Sequence, residues 1–266
     1  MKKYLTAFIT LCLPNWLKIR LLNLMGHKIH LGARIGMSIV IARRIYMDDQ
    51  AVIGHFNIIR VNKILMRKKA SIRTRNRIRG PINILMGPES TLSVDNSVYR
   101  ADPPICVGHA TLKFGRLGQI ISKNHLDLTR SIEIGDYTTV GGLGAQFWTH
   151  GFFHSRRGRR RVRIDGEIKI GNNCYIGSCC VFNPGVRIGD GIFIGSNCTL
   201  SKNLTEPGMY VSPPLRYIPR DIEDIRRKYR RIREIGVAEV YVKPLPGQEL
   251  PEGLSSAPYR KMEATP

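Results

Sequence analysis

Residues 168–204 read IKIGNNCYIGSCCVFNPGVRIGDGIFIGSNCTLSKNL, and apolar residues recur in them every six positions: Ile170, Ile176, Phe182, Ile188, Ile194 and Leu200. A companion row lies two residues earlier: Ile168, Cys174, Cys180, Val186, Ile192, Cys198 and Leu204. Residues two apart in a strand point to the same side, so each hexad turns two small or apolar side chains one way. With 42% of the chain hydrophobic, six hits in a row in a freely chosen phase have a chance of about 0.03. The period fits neither an amphipathic helix nor a hairpin sandwich. It fits short strands and tight corners wound around a prism, so that like rows stack into a buried column. IGNN, IGDG and IGSN put Gly, Asn and Asp after the inward residue, where a corner needs a tolerant backbone.

The same spacing runs outward from this segment. Ile29, Ile35, Ile41, Met47, Ile53, Ile59 and Leu65 form an earlier row, with Ala33, Ile39, Ile45 and Ala51 two positions before four of them. After a slip of one residue come Ile72, Ile78 and Ile84, and later Phe114, Ile120, Leu126 and Ile132. Between them Pro88–Gly118 is blurred, and Pro103-Pro104 predicts a corner looped outward. Stacked rungs are therefore expected from Ile29 to about Val211. Cys180 and Cys198, one turn of three hexads apart, should lie one above the other.

The pattern breaks once, in IEIGDYTTVGGLGAQFWTHGFFHS from Ile132 to Ser155. Strand-like hexads give way there to an aromatic segment carrying His150 and His154. RRGRRRVR follows, six arginines in the eight positions from Arg156 to Arg163. A repeat that pauses to present histidine and a cationic loop, then resumes, is a scaffold carrying a site. Six clustered arginines suit an anion, such as the phosphates of a cofactor or of an acceptor.

The [Ile/Leu/Val]-Gly hexads between Ile29 and Ile218 resemble the hexapeptide-repeat transferases, which implies an all-β fold, a left-handed parallel β-helix. Handedness comes from the resemblance, because left-handed crossovers run against the usual rule. IEIGDYTTVGGLGAQFWTHG, with its Gln-aromatic-aromatic-Thr-His core at Gln146–His150, resembles the acetyltransferases of surface polysaccharides such as colanic acid, O-antigen and capsule. It is more distantly similar to the maltose and galactoside acetyltransferases.

That resemblance implies acetyl-CoA as acyl donor, a sugar or lipid-linked oligosaccharide as acceptor, and a homotrimer with active sites between subunits. It implies His150 as general base and Gly141, Gly142, Gly177, Gly195 and Arg216 on the cofactor side. Pro207-Gly208 and Pro214-Leu215-Arg216 match the family's closing turn, although Ser212-Pro213 stand where Gly-Asn is usual. On the substrate side it implies His125 and Asp127 of KNHLDLT, with Trp148, His154, Arg156 and Arg157. No metal ligand is expected.

The chemistry agrees with those residue types. Acyl transfer from a thioester to a hydroxyl needs a base for the hydroxyl proton and donors for the oxyanion. Histidine suits the first task and contributes ~10²–10⁴-fold; backbone N–H groups, for which Gly141, Gly142 and Gly144 are candidates, suit the second. Two other classes share the helix. Zinc-dependent carbonic anhydrases would need His125, His150 and His154 as ligands, but their spacing does not match. A non-catalytic basic scaffold would have no reason to interrupt its repeat.

A net charge of +22 calls for an anionic partner, and an anionic membrane fits better than nucleic acid. The six cysteines form no CxxC pair and read as small buried thiols of a reduced compartment. Residues 1–28 form an N-terminal segment. Its apolar run Tyr4–Leu13 lacks a cleavage site, and Pro14, Lys18 and Arg20 bar a spanning helix. Past Pro14 an amphipathic helix is expected, with Asn15 as N-cap and Leu17, Leu21, Leu24 and Met25 on one face, capping the scaffold or touching the bilayer. The β-helix domain is expected at 29–218, with a loop at 152–165. A basic C-terminal helix over Arg220–Ile235 and a loose tail are expected within 219–266. The protein is expected in the cytoplasm, peripheral at the cytoplasmic face of the inner membrane.

Overall fold

The computed structural model describes residues 2–106, 108–154, 161–212, 216–219, 230–235 and 238–242. The chain divides into two units, Met1–Ile218 and Pro219–Pro266.

The first unit is a parallel β-solenoid with three faces. One face stacks Ile82–Met86, Ala110–Phe114, Ile132–Ile134, Ile168–Ile170 and Arg187–Ile188 in parallel register. A second stacks nine parallel strands from Arg34–Ile35 to Gly208–Val211, and Arg216–Ile218 closes it antiparallel. A third stacks Arg77–Arg79, Ser97–Tyr99, His125–Asp127, Gln146–Phe147, Val181–Phe182 and Thr199–Leu200. The first and third faces join into one sheet because Ile39–Met47 and Ile58–Met66 each run around the corner between them.

The core is the predicted column. Ile170, Ile176, Phe182, Ile188, Ile194 and Leu200 are all buried, as are their seven companions. Full burial of such a side chain is worth about 1.5–3 kcal/mol, so each turn adds several such contributions. Phe147 stacks on Phe182 with ring centroids 4.5 Å apart. Val181 pairs with Thr199 of the next turn, which sets Cys180 above Cys198 as expected.

Toward the N-terminus the turns lengthen. Ile39 pairs with Ile58, and Lys63 with Asn83, respectively one and two positions beyond the reach of three hexads. A strict period of six therefore drifts out of register there. Ile41 and Leu65, expected inside, are half-buried, and Val40, Ile64 and Met66 take the core places.

The extra residues lie where the chain passes from the third face to the first, between Ile59 and Met66 and between Ile78 and Met86. The corner between the second and third faces keeps its spacing of six, as from Ile53 to Ile59 and from Ile72 to Ile78, and carries a polar column. Asn57, Asn76, Asn96 and Asn124 are buried and stack directly. Each Oδ1 of the first three accepts both the backbone N–H and the side-chain N–H of the next asparagine, at 2.9–3.1 Å. Ser38 begins this column, and Ala145 N–H on Asn124 Oδ1 at 2.9 Å ends it. By register Ala145, Cys180 and Cys198 continue the same corner with no ladder.

The hexad glycines have a different cause from the one expected. Gly171 and Gly177 are needed because the next turn passes so closely: a Cβ would lie 2.7 Å from Gly189 C and 2.6 Å from Ser196 N respectively. The left-handed backbone falls two residues later, on Asn173, Cys179 and Asn197.

At the open end, α1 (Lys2–Cys12) and α2 (Asn15–Leu24) pack on the first turns. Pro14, not Asn15, is the N-cap of α2. The side chain of Asn15 instead accepts Ile35 N–H at 2.8 Å and donates to Ala33 O at 3.1 Å. Asn23 holds both backbone groups of Ile29, at 2.8 and 2.9 Å. Lys18 Nζ donates to Ile35 O and Gly36 O at 3.1 and 2.9 Å, and burial pushes its pKa down. These polar side chains satisfy an edge that no earlier strand covers. The inward face of α2 is accordingly Lys18, Ile19 and Leu22, while Leu24, expected on it, is exposed.

In the second unit, Arg230–Ile235 pairs antiparallel with Ala238–Val242. A helix over Arg220–Ile235 is thus corrected for its last six residues; 220–229 lie outside the described residues. The helical spacing ended at Ile232, and the strand-forming AEVYV just beyond it offers the segment a partner.

Candidate functional site

Two excursions leave the solenoid near one corner. One spans Arg100 to His109, between the strands Ser97–Tyr99 and Ala110–Phe114. The other begins at His150, where the expected loop is an antiparallel arm: His150–His154 pairs with Arg161–Asp165, in register His150↔Asp165 and His154↔Arg161. Gly166 N–H donates to Thr149 O at 2.9 Å and returns the chain to the rungs.

His125–Asp127 and Gln146–Phe147 are neighbouring strands of the third face, with His125 opposite Gln146. Continuing that register sets Asp127 beside Trp148. Leu126 and Phe147 point inward, so Asp127 points outward toward the base of the arm. There its Oδ2 lies 2.8 Å from His150 Nδ1. The carboxylate side chain is 7% exposed and the imidazole 29%.

The remaining acceptor capacity of Asp127 is used. Thr149 N–H donates to Oδ2 at 3.1 Å, and the Thr149 hydroxyl lies 2.9 Å from Oδ2 and from the Asp127 backbone carbonyl. Thr149 Oγ1 also accepts Arg130 N–H at 2.9 Å. Thr129 donates its hydroxyl to Asp127 Oδ1 at 3.1 Å and stands 3.1 Å from His150 Nδ1. A buried carboxylate held by two threonines and an imidazole is fully satisfied, which is what allows it to be buried. It fixes Nδ1 as the protonated nitrogen and leaves Nε2 to take a proton.

The other expected residues fall in three places. His125 lies beside Trp148, rings 5.0 Å apart, and Trp148 Nε1–H donates to Gln146 Oε1 at 3.0 Å. Asp127, close to His125 in sequence, thus orients His150 instead. His154 is exposed further along the arm, its ring 6.5 Å from that of Phe152. Arg156 and Arg157 lie outside the described residues. Of the arginine cluster, Arg163 is engaged within the chain: it pairs with Asp165 at 2.7 Å and donates to Ile105 O at 2.8 Å, joining the two excursions.

On the second face, Val140, Ile176 and Ile194 stack in register, so Gly141, Gly177 and Gly195 follow one another up one column. A Cβ at Gly141 would meet the Tyr175 hydroxyl at 2.6 Å and its ring at 2.8 Å, and one at Gly142, whose φ is +72°, would meet Ser178 Oγ. The N–H groups of Gly144, Gly177 and Gly195 donate to Lys123, Ile194 and Tyr210 carbonyls; none of these three is free for an oxyanion. Arg216 opens the closing antiparallel strand. Thr149 and Thr129 went unrecognised in the sequence, although Thr149 belongs to the Thr-His core. Among the described residues no group of three or more His, Cys, Asp or Glu is placed to hold a metal ion.

Residues 167–202 match the family model described as bacterial transferase hexapeptide (six repeats). No curated protein sequence matches the chain. Among solved structures, the polysialic acid O-acetyltransferase OatWY is similar at 14% identity and TM-score 0.46, over 73% of this chain and 83% of that one. A maltose O-acetyltransferase from Clostridium difficile 630 is similar at 20% identity and TM-score 0.36, over 51% and 68%. The polySia-specific acetyltransferase NeuO is similar at 11% identity and TM-score 0.33, over 73% and 80%. Likeness at that level carries no chemistry. Residues 167–202 thus carry the hexapeptide repeat of that model, and the stacked rungs continue it in register through the first unit as a parallel β-solenoid.

Proposed function

We propose that the protein is an acyltransferase that moves an acetyl group from acetyl-CoA to a sugar hydroxyl of a surface polysaccharide or its lipid-linked precursor. The observation that carries this reading is the 2.8 Å contact between Asp127 Oδ2 and His150 Nδ1. Nε2 of His150 takes the acceptor's hydroxyl proton as the oxygen attacks the thioester carbonyl. The tetrahedral oxyanion collapses, the C–S bond breaks, and the imidazolium returns its proton to the leaving thiolate. Thioester is exchanged for ester with no covalent enzyme intermediate.

The dyad lies on an outer face of the chain, and a second copy in a homotrimer would supply the opposing wall. The glycine column and Arg216 mark the donor side. Mass spectrometry of the producing cell's surface polysaccharide tests the assignment. Ester-linked acetyl groups should vanish on deletion of the gene and stay absent when His150→Ala is restored in its place. Undiminished acetylation in the deletion strain would overturn it.

A peripheral membrane position belongs to the same reading. The buried side of α1 is Thr6, Ile9 and Thr10; its other side exposes Tyr4, Leu5, Phe8 and Leu11, with Trp16 and Leu24 exposed on α2. Residues 1–47 contain eight Lys and Arg and no acidic residue. An apolar helix face in cationic surroundings suits the interface of an anionic bilayer. Among the described residues no helix is long and apolar enough to cross a membrane.

A further inference from the structure

Outside the dyad, the third face carries a feature that the acyl-transfer chemistry does not use. The segment RTRNRIR alternates arginine with other residues from Arg73 to Arg79, and all four arginines are exposed. Arg75 is neutralised by Asp95, through Nε to Oδ1 at 2.7 Å and Nη2 to Oδ2 at 2.9 Å. Arg77 and Arg79 form no ion pair with a described residue, and neither does Arg60, also exposed, on the next strand.

Register aligns these arginines with the dyad. Arg60 pairs with Arg79, Arg79 with Tyr99, and Tyr99 with Asp127, so the four occupy one column on the outside of the face. In the neighbouring column Arg77 pairs with Ser97, and Ser97 with His125. Strands in a sheet lie about 4.8 Å apart, which puts Arg79 roughly 10 Å and Arg60 roughly 14 Å from Asp127 along the solenoid. Between them Tyr99 is 51% exposed. Neither column contains a carboxylate along this stretch except Asp127, which His150 and the threonines already hold.

We infer that this stripe binds an extended anionic glycan, threaded along the third face so that one hydroxyl reaches His150 while carboxylate or phosphate groups on neighbouring units meet Arg79, Arg77 and Arg60. Tyr99 is the platform between, its ring suited to lie against a sugar face. The inference rests on the acyl-transfer reading for which end of the track reacts, and it narrows the acceptor to a charged polymer. The alternative occupants of a cationic stripe are the donor's phosphates and nucleic acid. The donor is less suited, because the glycine column assigned to it follows the second face from Gly141 toward the C-terminal turns, while the stripe extends from the dyad toward the N-terminus. Nucleic acid is less suited because successive bases need several stacking surfaces, whereas this stretch of the two columns offers one exposed aromatic ring, Tyr99.

Direct binding separates this from the catalytic assignment. Fluorescently labelled oligogalacturonate, a maltodextrin of equal length and oligothymidylate are titrated against the full chain and against the triple variant Arg60→Gln/Arg77→Gln/Arg79→Gln. Acetyl-CoA affinity and circular dichroism are measured alongside. The expected result is oligogalacturonate binding that weakens about tenfold or more in the variant and with added salt. Maltodextrin should bind neither protein, and acetyl-CoA affinity and the spectrum should not change. Unchanged oligogalacturonate affinity overturns the inference. So does a parallel loss of acetyl-CoA affinity, which assigns the stripe to the donor, or tighter oligothymidylate binding lost in the variant, which assigns it to nucleic acid. None of these readouts requires turnover, so a failed acyl-transfer assay would leave the stripe separately decided.

Discussion

Asp127 has three side-chain neighbours within hydrogen-bonding distance, and only His150 among them can carry a proton to a substrate. Asp127→Asn keeps the size and removes the acceptor that fixes the imidazole tautomer. Turnover should fall ~10²-fold or more with little change in KM, because orientation is lost and binding is not; steady-state kinetics read both. The cysteines offer a second test. Cys106, Cys174, Cys180 and Cys198 are buried, but Cys12 and Cys179 are exposed, which corrects the expectation that all six pack inside. Burial pushes the Cys180 thiol up to about 11, so in mildly alkaline buffer it holds its proton. Brief alkylation of the native protein followed by peptide mass spectrometry should modify Cys12 and Cys179 and spare the buried four. The site was half legible in the sequence. His150 stood out by its aromatic neighbours, and Asp127 was in view beside His125. Their pairing was hidden because it depends on a turn longer than three hexads, the one that brings Gln146 back beside His125.

Hydrogen bonds to backbone, more than helix propensity, explain why α2 sits where it does. The helix supplies Asn15, Lys18 and Asn23 to an edge that would otherwise present unpartnered N–H and C=O groups. Asn23→Ala strips the partners from Ile29, and it should cost about 1–3 kcal/mol, seen as a lower midpoint in urea. Asn76→Ala should cost at least as much, because its Oδ1 serves Asn96 while its amide serves Asn57 and Ser93. A change within error of zero at Asn76 would mean the ladder fills space without holding the corner. The C-terminal hexads could be read directly, since the turns there keep to three hexads, as in Lys169↔Arg187, Tyr175↔Phe193 and Val181↔Thr199. The turns from Ile39 onward could not, because the corner between the third and first faces takes one or two extra residues and a fixed period steps past the true core. A buried asparagine column was also visible in principle, as Asn57, Asn76, Asn96 and Asn124 recur at turn-like intervals.

Charge divides unevenly over the molecule. The first 47 residues and the third face are cationic, and the exposed apolar side of α1 lies within that field. Full-length protein should sediment with phosphatidylglycerol vesicles at low salt and be released as salt rises, since the Debye length shrinks from about 30 Å at 0.01 M to about 3 Å at 1 M. Tyr4→Ser/Phe8→Ser should abolish sedimentation while leaving acetyl transfer to a free sugar intact. Protein that stays in the supernatant with anionic vesicles at low salt would contradict the membrane position. The proposed acyl transfer through His150 would join the scaffold, the dyad and the stripe, and single-turnover measurement with acetyl-CoA and a purified acceptor glycan tests it most directly. The predicted result is that His150→Ala binds acetyl-CoA normally but transfers ~10²-fold more slowly or worse, whereas His125→Ala and His154→Ala keep the chemical step. Near-normal transfer by His150→Ala, with His125→Ala inactive, would contradict it.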